Sequence, residues 1–299
     1  MTTETAKTWL EVALNGPWGR KPQPRIPLSV DELIRDGVAC AKAGASIIHL
    51  HVYDETTGRQ VNDADRYRRV IAGIREQCDA IIYPTIPGID TGLPTADAAQ
   101  QRFAVVEELA RSGLLEWAVV DPGSCNIAHY DDLREDKVGF VYLNPEEHVR
   151  HALGLARRYR FHPSYAIYEP GFMRLGATLH WRCSSPAPIY RFMFSSGFTF
   201  GFPPDDYGLT AYLNLLDQVA PGAQWMVAGL CVDVLPMIPR IVAEGGHVRV
   251  GLEDAPFGST RSNVEWVEAA VKAIDTAGGE VATVDDVRGV LSALEMGEA

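Results

Sequence analysis

The chain has 299 residues, 46% of them hydrophobic, which is enough for one large domain with an ample core. No run of about 18 apolar residues occurs, so no membrane-spanning helix is expected, and the start from Met1 to Thr8 lacks the apolar stretch of a secretory signal. A net charge of -12 argues against nucleic-acid binding, and five scattered cysteines, never spaced as C-x-x-C, fit a reduced, cytoplasmic compartment.

Short apolar runs alternate with helical patterns along the chain. A first strand at 10–15 leads into a helix at 30–43, opened by the capping box Ser29 and Glu32 and closed by Gly44. A strand at 46–52 and a helix at 64–77 follow, then a strand at 80–85 and a helix at 95–112. The strand at 117–121 precedes a helix at 145–158, whose start is marked by Asn144 and Pro145. Next come a strand at 164–168 with a short helix at 172–180, and a strand at 190–194 with a helix at 205–219. A strand at 225–229 with a helix at 233–244, and a strand at 247–251 with a helix at 262–277, complete eight pairs. The tail at about 283–296 reads as an extra closing helix.

Eight βα units in this length predict one parallel (β/α)8 TIM barrel spanning residues 1–299 as a single domain. An open doubly wound sheet competes, but no G-x-G-x-x-G or Walker loop opens the first helix. The Pro/Gly-rich loops at 16–27, 84–94 and 195–204 follow strands, so they are expected on the C-terminal face, where barrel enzymes carry their chemistry.

The second strand ends in His49-Leu50-His51. Side chains two apart on a strand share a face, so the two imidazoles suit one transition metal. Alone, such a pair is as well explained by hydrogen-bonded core histidines. Barrel closure, however, sets the eighth strand beside the first, with the second next, and Glu253 follows that eighth strand. Two imidazoles, a carboxylate and water make an open catalytic zinc site. Asp254 beside it reads either as a general base or as a loop carboxylate. Arg249 shares the parity of Glu253 and needs a partner, either Asp254 or a substrate carboxylate. His129, His162 and His180 read as surface or structural. The loop containing Ser195 and Gly197 offers backbone N–H groups that suit an anion, or is an ordinary connection. Glu169 reads as a pocket acid or a hydrogen-bond acceptor. Cys231 has no activating base near it in sequence.

Several segments together resemble the β-keto acid cleavage enzymes: Leu14-Asn15-Gly16, Gly44 through His51, Gly123-Ser124-Cys125-Asn126, Trp225 through Gly229, and Gly245 through Asp254. The resemblance runs from Leu10 to about Ala293. It implies a zinc-dependent barrel, a homotetramer or homodimer, that turns a β-keto acid and acetyl-CoA into acetoacetate and a new acyl-CoA by Claisen and retro-Claisen steps. By the same resemblance His49, His51 and Glu253 hold zinc, Asp254 is the base, Arg249 is its arginine, and Thr85 stands where a serine near the substrate is common. The expected substrate pocket adds Asn15, Trp18, Tyr165, Glu169, Ser195 and Gly197.

The recognition residues depart from the family pattern. An acid is replaced by Trp18, another by Ala166, a threonine by Val119, and an asparagine by Ala255. Losing acids argues against the aminated substrate 3-keto-5-aminohexanoate, and Trp18 with Tyr165 suggests an apolar or aromatic side chain. A zinc aldolase or hydrolase that needs no CoA, and a noncatalytic metabolite-binding barrel, are the competing readings. Neither a nucleic acid nor a membrane is an expected partner.

Overall fold

The predicted strand runs are mostly apolar and buried on both faces, and in the computed structural model, which describes residues 7–88 and 96–296, those runs form one parallel sheet. Its strands are Leu10–Ala13, Ile47–Leu50, Ile81–Pro84, Trp117–Val119, His162–Ile167, Ile189–Phe194, Trp225–Gly229 and His247–Val250. Their order is third, second, first, eighth, seventh, sixth, fifth, fourth. The first strand pairs with both the second and the eighth, setting Ala13 against His49 and Glu11 against Arg249. Only the third and fourth strands exchange no ladder bonds, so the barrel is nearly closed and helices surround it. Among the described residues no helix is long and apolar enough to cross a membrane.

The Ser29 capping box acts as read, whereas the helix expected to open with Asn144 and Pro145 runs from Glu146 to Tyr159 with Pro145 as its N-cap, the Asn144 side chain being held by Arg102 and the Gly123 carbonyl. The Ser29 hydroxyl accepts from the Glu32 N–H while the Glu32 carboxylate accepts from the Ser29 N–H, and Ser262 with Glu265 repeats the device. The closing helix is Val284–Met296, with Val287 and Leu291 in the core. Its Arg288 bonds Asp79 and Glu116, which precede the third and fourth strands, and so ties the seam that backbone pairing leaves open.

The short elements differ from the reading. Two hairpins, Val52–Asp54 with Arg59–Val61 and Cys125–Ile127 with Phe140–Tyr142, extend the C-terminal face, and a helix at Tyr130–Arg134 joins the second. Three-residue strands carry too little periodicity to stand out. The helix expected at 172–180 runs from Pro170 to Cys183. The one expected at 233–244 divides into a 3-10 turn, Leu235–Met237, and a helix, Ile238–Ala243, because Pro236 and Pro239 cannot donate within a continuous helix. The start from Met1, the helix start at Thr95 and the loop beyond Gly88 lie outside the described residues.

Candidate metal centre

His49 leaves the second strand facing the barrel interior, and His51 follows it where regular pairing ends. Both are buried, and their rings sit 5.2 Å apart and nearly perpendicular. Asn15 fixes the backbone of His51 on both sides: its Oδ1 accepts from the His51 N–H at 2.9 Å, and its Nδ2 donates to the His51 carbonyl at 2.9 Å. Gln60, on the hairpin, meets His51 Nδ1 at 2.9 Å and leaves Nε2 turned inward. The His49 ring packs on Tyr83 at 4.6 Å.

Glu253 arrives from the turn after the eighth strand. Its N–H donates to the Ala13 carbonyl at 3.2 Å, and Trp18 Nε1 donates to its carbonyl at 2.7 Å. Two glycines make the approach possible. At Gly251, with φ of 130°, a Cβ would lie 2.3 Å from the Ala13 oxygen; at Gly16, with φ of 64°, it would lie 2.6 Å from Glu253 Cγ. Glu253 Oε2 then stands 3.5 Å from both His49 Nε2 and His51 Nε2. Donors bound at about 2.0–2.1 Å in a tetrahedron lie about 3.4 Å apart; both contacts to Glu253 have that spacing, and one donor atom from each of the three residues lies within 4.8 Å of the others.

The electrostatics agree with that assignment. Buried His51 Nε2 and Glu253 Oε2 have no hydrogen-bond partner. Burial holds the His49 imidazole well below its usual pKa, keeping it neutral as a ligand must be. Burial alone would lift Glu253, but the Arg249 guanidinium beside it outweighs burial and holds the carboxylate well below its ordinary range. The Arg249 guanidinium reaches Glu253 Oε1 at 3.0 Å, Asp254 at 2.9 and 2.6 Å, and Glu11 Oε1 at 3.4 Å. Burial pushes Asp254 up to about 6 against the pull of Arg249.

The cluster forms the floor of a cavity of about 390 Å³. Thr85, Trp18, Arg249 and Arg191 also line it, with an apolar wall that includes Val119, Ala166, Tyr168 and Leu230. Trp18 stacks on Phe198 and meets Phe257 edge-on, forming a cover.

Several expected pocket residues are placed elsewhere. Tyr165 points outward, donating to the Gly176 carbonyl and packing on Tyr190, because strand alternation gives the cavity to Ala166. Asn15 has both polar atoms committed to the backbone around His51 and Pro27. Glu169 accepts from the Gly201 N–H and braces that loop. Ser195 Oγ accepts from the N–H groups of Gly197 and Phe198 and donates to the Leu230 carbonyl, so these N–H groups are used internally and offer no anion cradle. Asp254 lies behind Arg249 rather than on the cavity surface. Cys231 does find a histidine, with its Sγ 3.8 Å from His129 Nε2, but burial pushes its thiol up and away from reactivity.

Four residues were missed. Gln60 sits in a hairpin too short to read. Glu11, Arg191 and Asp121 carry a visible signal: each is a charge at an inward position of an apolar strand or strand end. The Asp121 oxygens accept from the Ala166 N–H and the Tyr142 hydroxyl.

A family model described as beta-keto acid cleavage enzyme matches residues 7–292. The 3-keto-5-aminohexanoate cleavage enzyme of Fusobacterium nucleatum is 28% identical over 278 residues, 91% of this chain and 93% of that one. The 3-oxoadipate:acetyl-CoA acetyltransferase of Cupriavidus necator is 28% identical over 294 residues, 94% of this chain and 93% of that one. Among solved structures, the apo structure of ObcA superposes with a TM-score of 0.70 at 13% identity, a likeness of fold. It covers 90% of this chain, which spans just under two thirds (66%) of that longer one.

Proposed function

This chain belongs to the beta-keto acid cleavage enzyme family, and on that premise we propose that it exchanges acyl groups between a β-keto acid and acetyl-CoA, giving acetoacetate and a new acyl-CoA. The observation that carries the reading is the meeting of His49 Nε2, His51 Nε2 and Glu253 Oε2 on a cavity floor beside Arg249. A divalent cation bound there, zinc by the nitrogen-rich donor set, would act as a Lewis acid on the keto acid's oxygens.

The chain's residues supply the rest. Loss of a proton from C2 of the keto acid leaves a carbanion, and Arg249 faces the cavity as a fixed cation for that charge. The proton passes to the Asp254 carboxylate through the Arg249 guanidinium, which releases one proton to Asp254 as it takes one up, and Asp254 holds that guanidinium in place from behind. C2 bonds to the acetyl carbonyl as the thioester C–S bond breaks; the CoA thiolate then bonds to C3 as the old C2–C3 bond breaks, and the C2 carbanion so released takes back the proton held on Asp254, giving acetoacetate. Thr85 lies at the cavity edge, able to hydrogen-bond a substrate oxygen. Trp18 and the apolar wall exclude water from the carbanion.

The absence of a carboxylate at Trp18 and Ala166 supports a substrate other than the aminated keto acid. Exposed Val138, Phe140 and Val141 on the second hairpin support a homodimer or homotetramer. Five free cysteines support a cytoplasmic setting. Incubating the purified chain with a panel of β-keto acids and labelled acetyl-CoA tests the reading. Labelled acetoacetate with a matching acyl-CoA is expected, lost after chelation and restored by zinc. Keto-acid cleavage that proceeds equally without acetyl-CoA would refute it.

A further inference from the structure

Arg191 is a cation placed inside the barrel with no ion-pair partner in contact. It is 2% exposed, it sits on the sixth strand between apolar neighbours, and it lines the same cavity as the metal cluster. Its Nε donates to Ser164 Oγ at 2.8 Å. Among the described residues no carboxylate oxygen lies within 4.0 Å of the guanidinium. Glu11 and Asp121 act on it through space only. The contrast is with Arg249, which takes contacts from Glu11, Glu253 and Asp254. Asp121 is already spent on the Ala166 N–H and the Tyr142 hydroxyl.

Position adds direction to this imbalance. The second and sixth strands are four apart in the barrel order, so Arg191 lies across the interior from His49 and His51. On the fifth strand its register partner is Ala166, one of the small residues that leave the cavity open on that side. A buried cation without an ion-pair partner is costly, and a guanidinium is the side chain best shaped to take a carboxylate in two parallel bonds.

We propose that Arg191 binds a second anionic group at the far end of the keto acid, so that the substrate class is a dianionic β-keto acid with its reacting end at the metal cluster and its distal carboxylate at Arg191. This rests on the reaction proposed above. The apolar wall then contacts the chain between the two ends. A neutral end would leave the guanidinium unpaired, and an ammonium end would face it as a like charge.

The test separates binding from turnover. The zinc-loaded chain is titrated calorimetrically, without acetyl-CoA, with three six-carbon acids: 3-oxoadipate, 3-oxohexanoate with a neutral far end, and 5-amino-3-oxohexanoate with a cationic far end. The dianion is expected to bind at least tenfold more tightly than the neutral acid, with the cation weakest. In Arg191→Gln that preference should collapse by about tenfold to a hundredfold, the scale of a charge-assisted pair, and Arg191→Lys should restore part of it. Zinc content and the thermal transition report whether each variant is folded. If the wild-type chain binds the neutral acid as tightly as the dianion, or Arg191→Gln weakens both equally, the proposal is overturned. A selective dianion site with no acyl exchange in the product assay would instead overturn the proposed reaction and leave the distal anion site standing.

Discussion

At the residue scale, the site depends on side chains that hold other side chains. Gln60 fixes the His51 ring and Asn15 fixes its backbone, so neither needs to touch the metal or the substrate to matter. Partners of this kind change metal affinity by about tenfold to a hundredfold when removed. Gln60→Ala should therefore raise the zinc dissociation constant by that factor with little change in the thermal transition of the metal-free chain, as competition with a chromophoric chelator would show; unchanged affinity would make the contact incidental. Gly16→Ala should act more severely, because its new Cβ would meet Glu253 Cγ at 2.6 Å in a backbone conformation that favours glycine. Zinc bound per chain should fall sharply in that variant, and full retention would contradict the packing. The meeting of His49, His51 and Glu253 was legible, since the two histidines share strand parity and Glu253 follows a strand that barrel closure brings near. Tyr165 was misread because neighbouring residues of a strand differ only in parity, and a run of buried residues on both faces does not say which parity looks inward; in the structure Ala166 lines the cavity.

At the element scale, the eight strand–helix pairs were legible because long apolar runs and capped helices repeat regularly. The two hairpins were not, since three residues cannot establish a period, yet they supply Gln60 and Tyr142. The eighth strand also carries a buried histidine at its other end. His247 stacks on Trp9 at 4.0 Å, accepts from the Trp9 N–H at Nδ1 and meets Gln224 at Nε2. Burial lowers its pKa from 6.5 to about 3, so the folded chain holds it neutral where the unfolded chain would bind a proton. In the window between these two values the unfolded state takes up more protons, and stability from this group falls as pH falls, by at most about 1.4 kcal/mol per pH unit. Thermal melts from pH 7 to pH 4 should show this slope, and His247→Gln should flatten it. An unchanged slope in the variant would mean that other groups carry the acid sensitivity.

At the scale of the whole molecule, topology brings the two ends of the chain together. The eighth strand lies against the first, which puts Glu253 beside histidines from the second strand, and Arg288 from the closing helix spans the seam between the third and fourth strands. Inside the barrel the charges are unevenly shared: acids gather on Arg249, while Arg191 has no ion-pair partner in contact. Arg249→Lys keeps the charge but loses the fork that grips Asp254, and should lower kcat by about a hundredfold or more while zinc remains bound; kcat within a few-fold of wild type would remove Arg249 from the mechanism. The central claim is the convergence of His49, His51 and Glu253 on one ion. An anomalous difference map collected at the zinc absorption edge from zinc-grown crystals should show one strong peak at about 2.0–2.2 Å from His49 Nε2, His51 Nε2 and a Glu253 oxygen. A map with no peak between these atoms, or with Glu253 turned away from the two imidazoles, would contradict it.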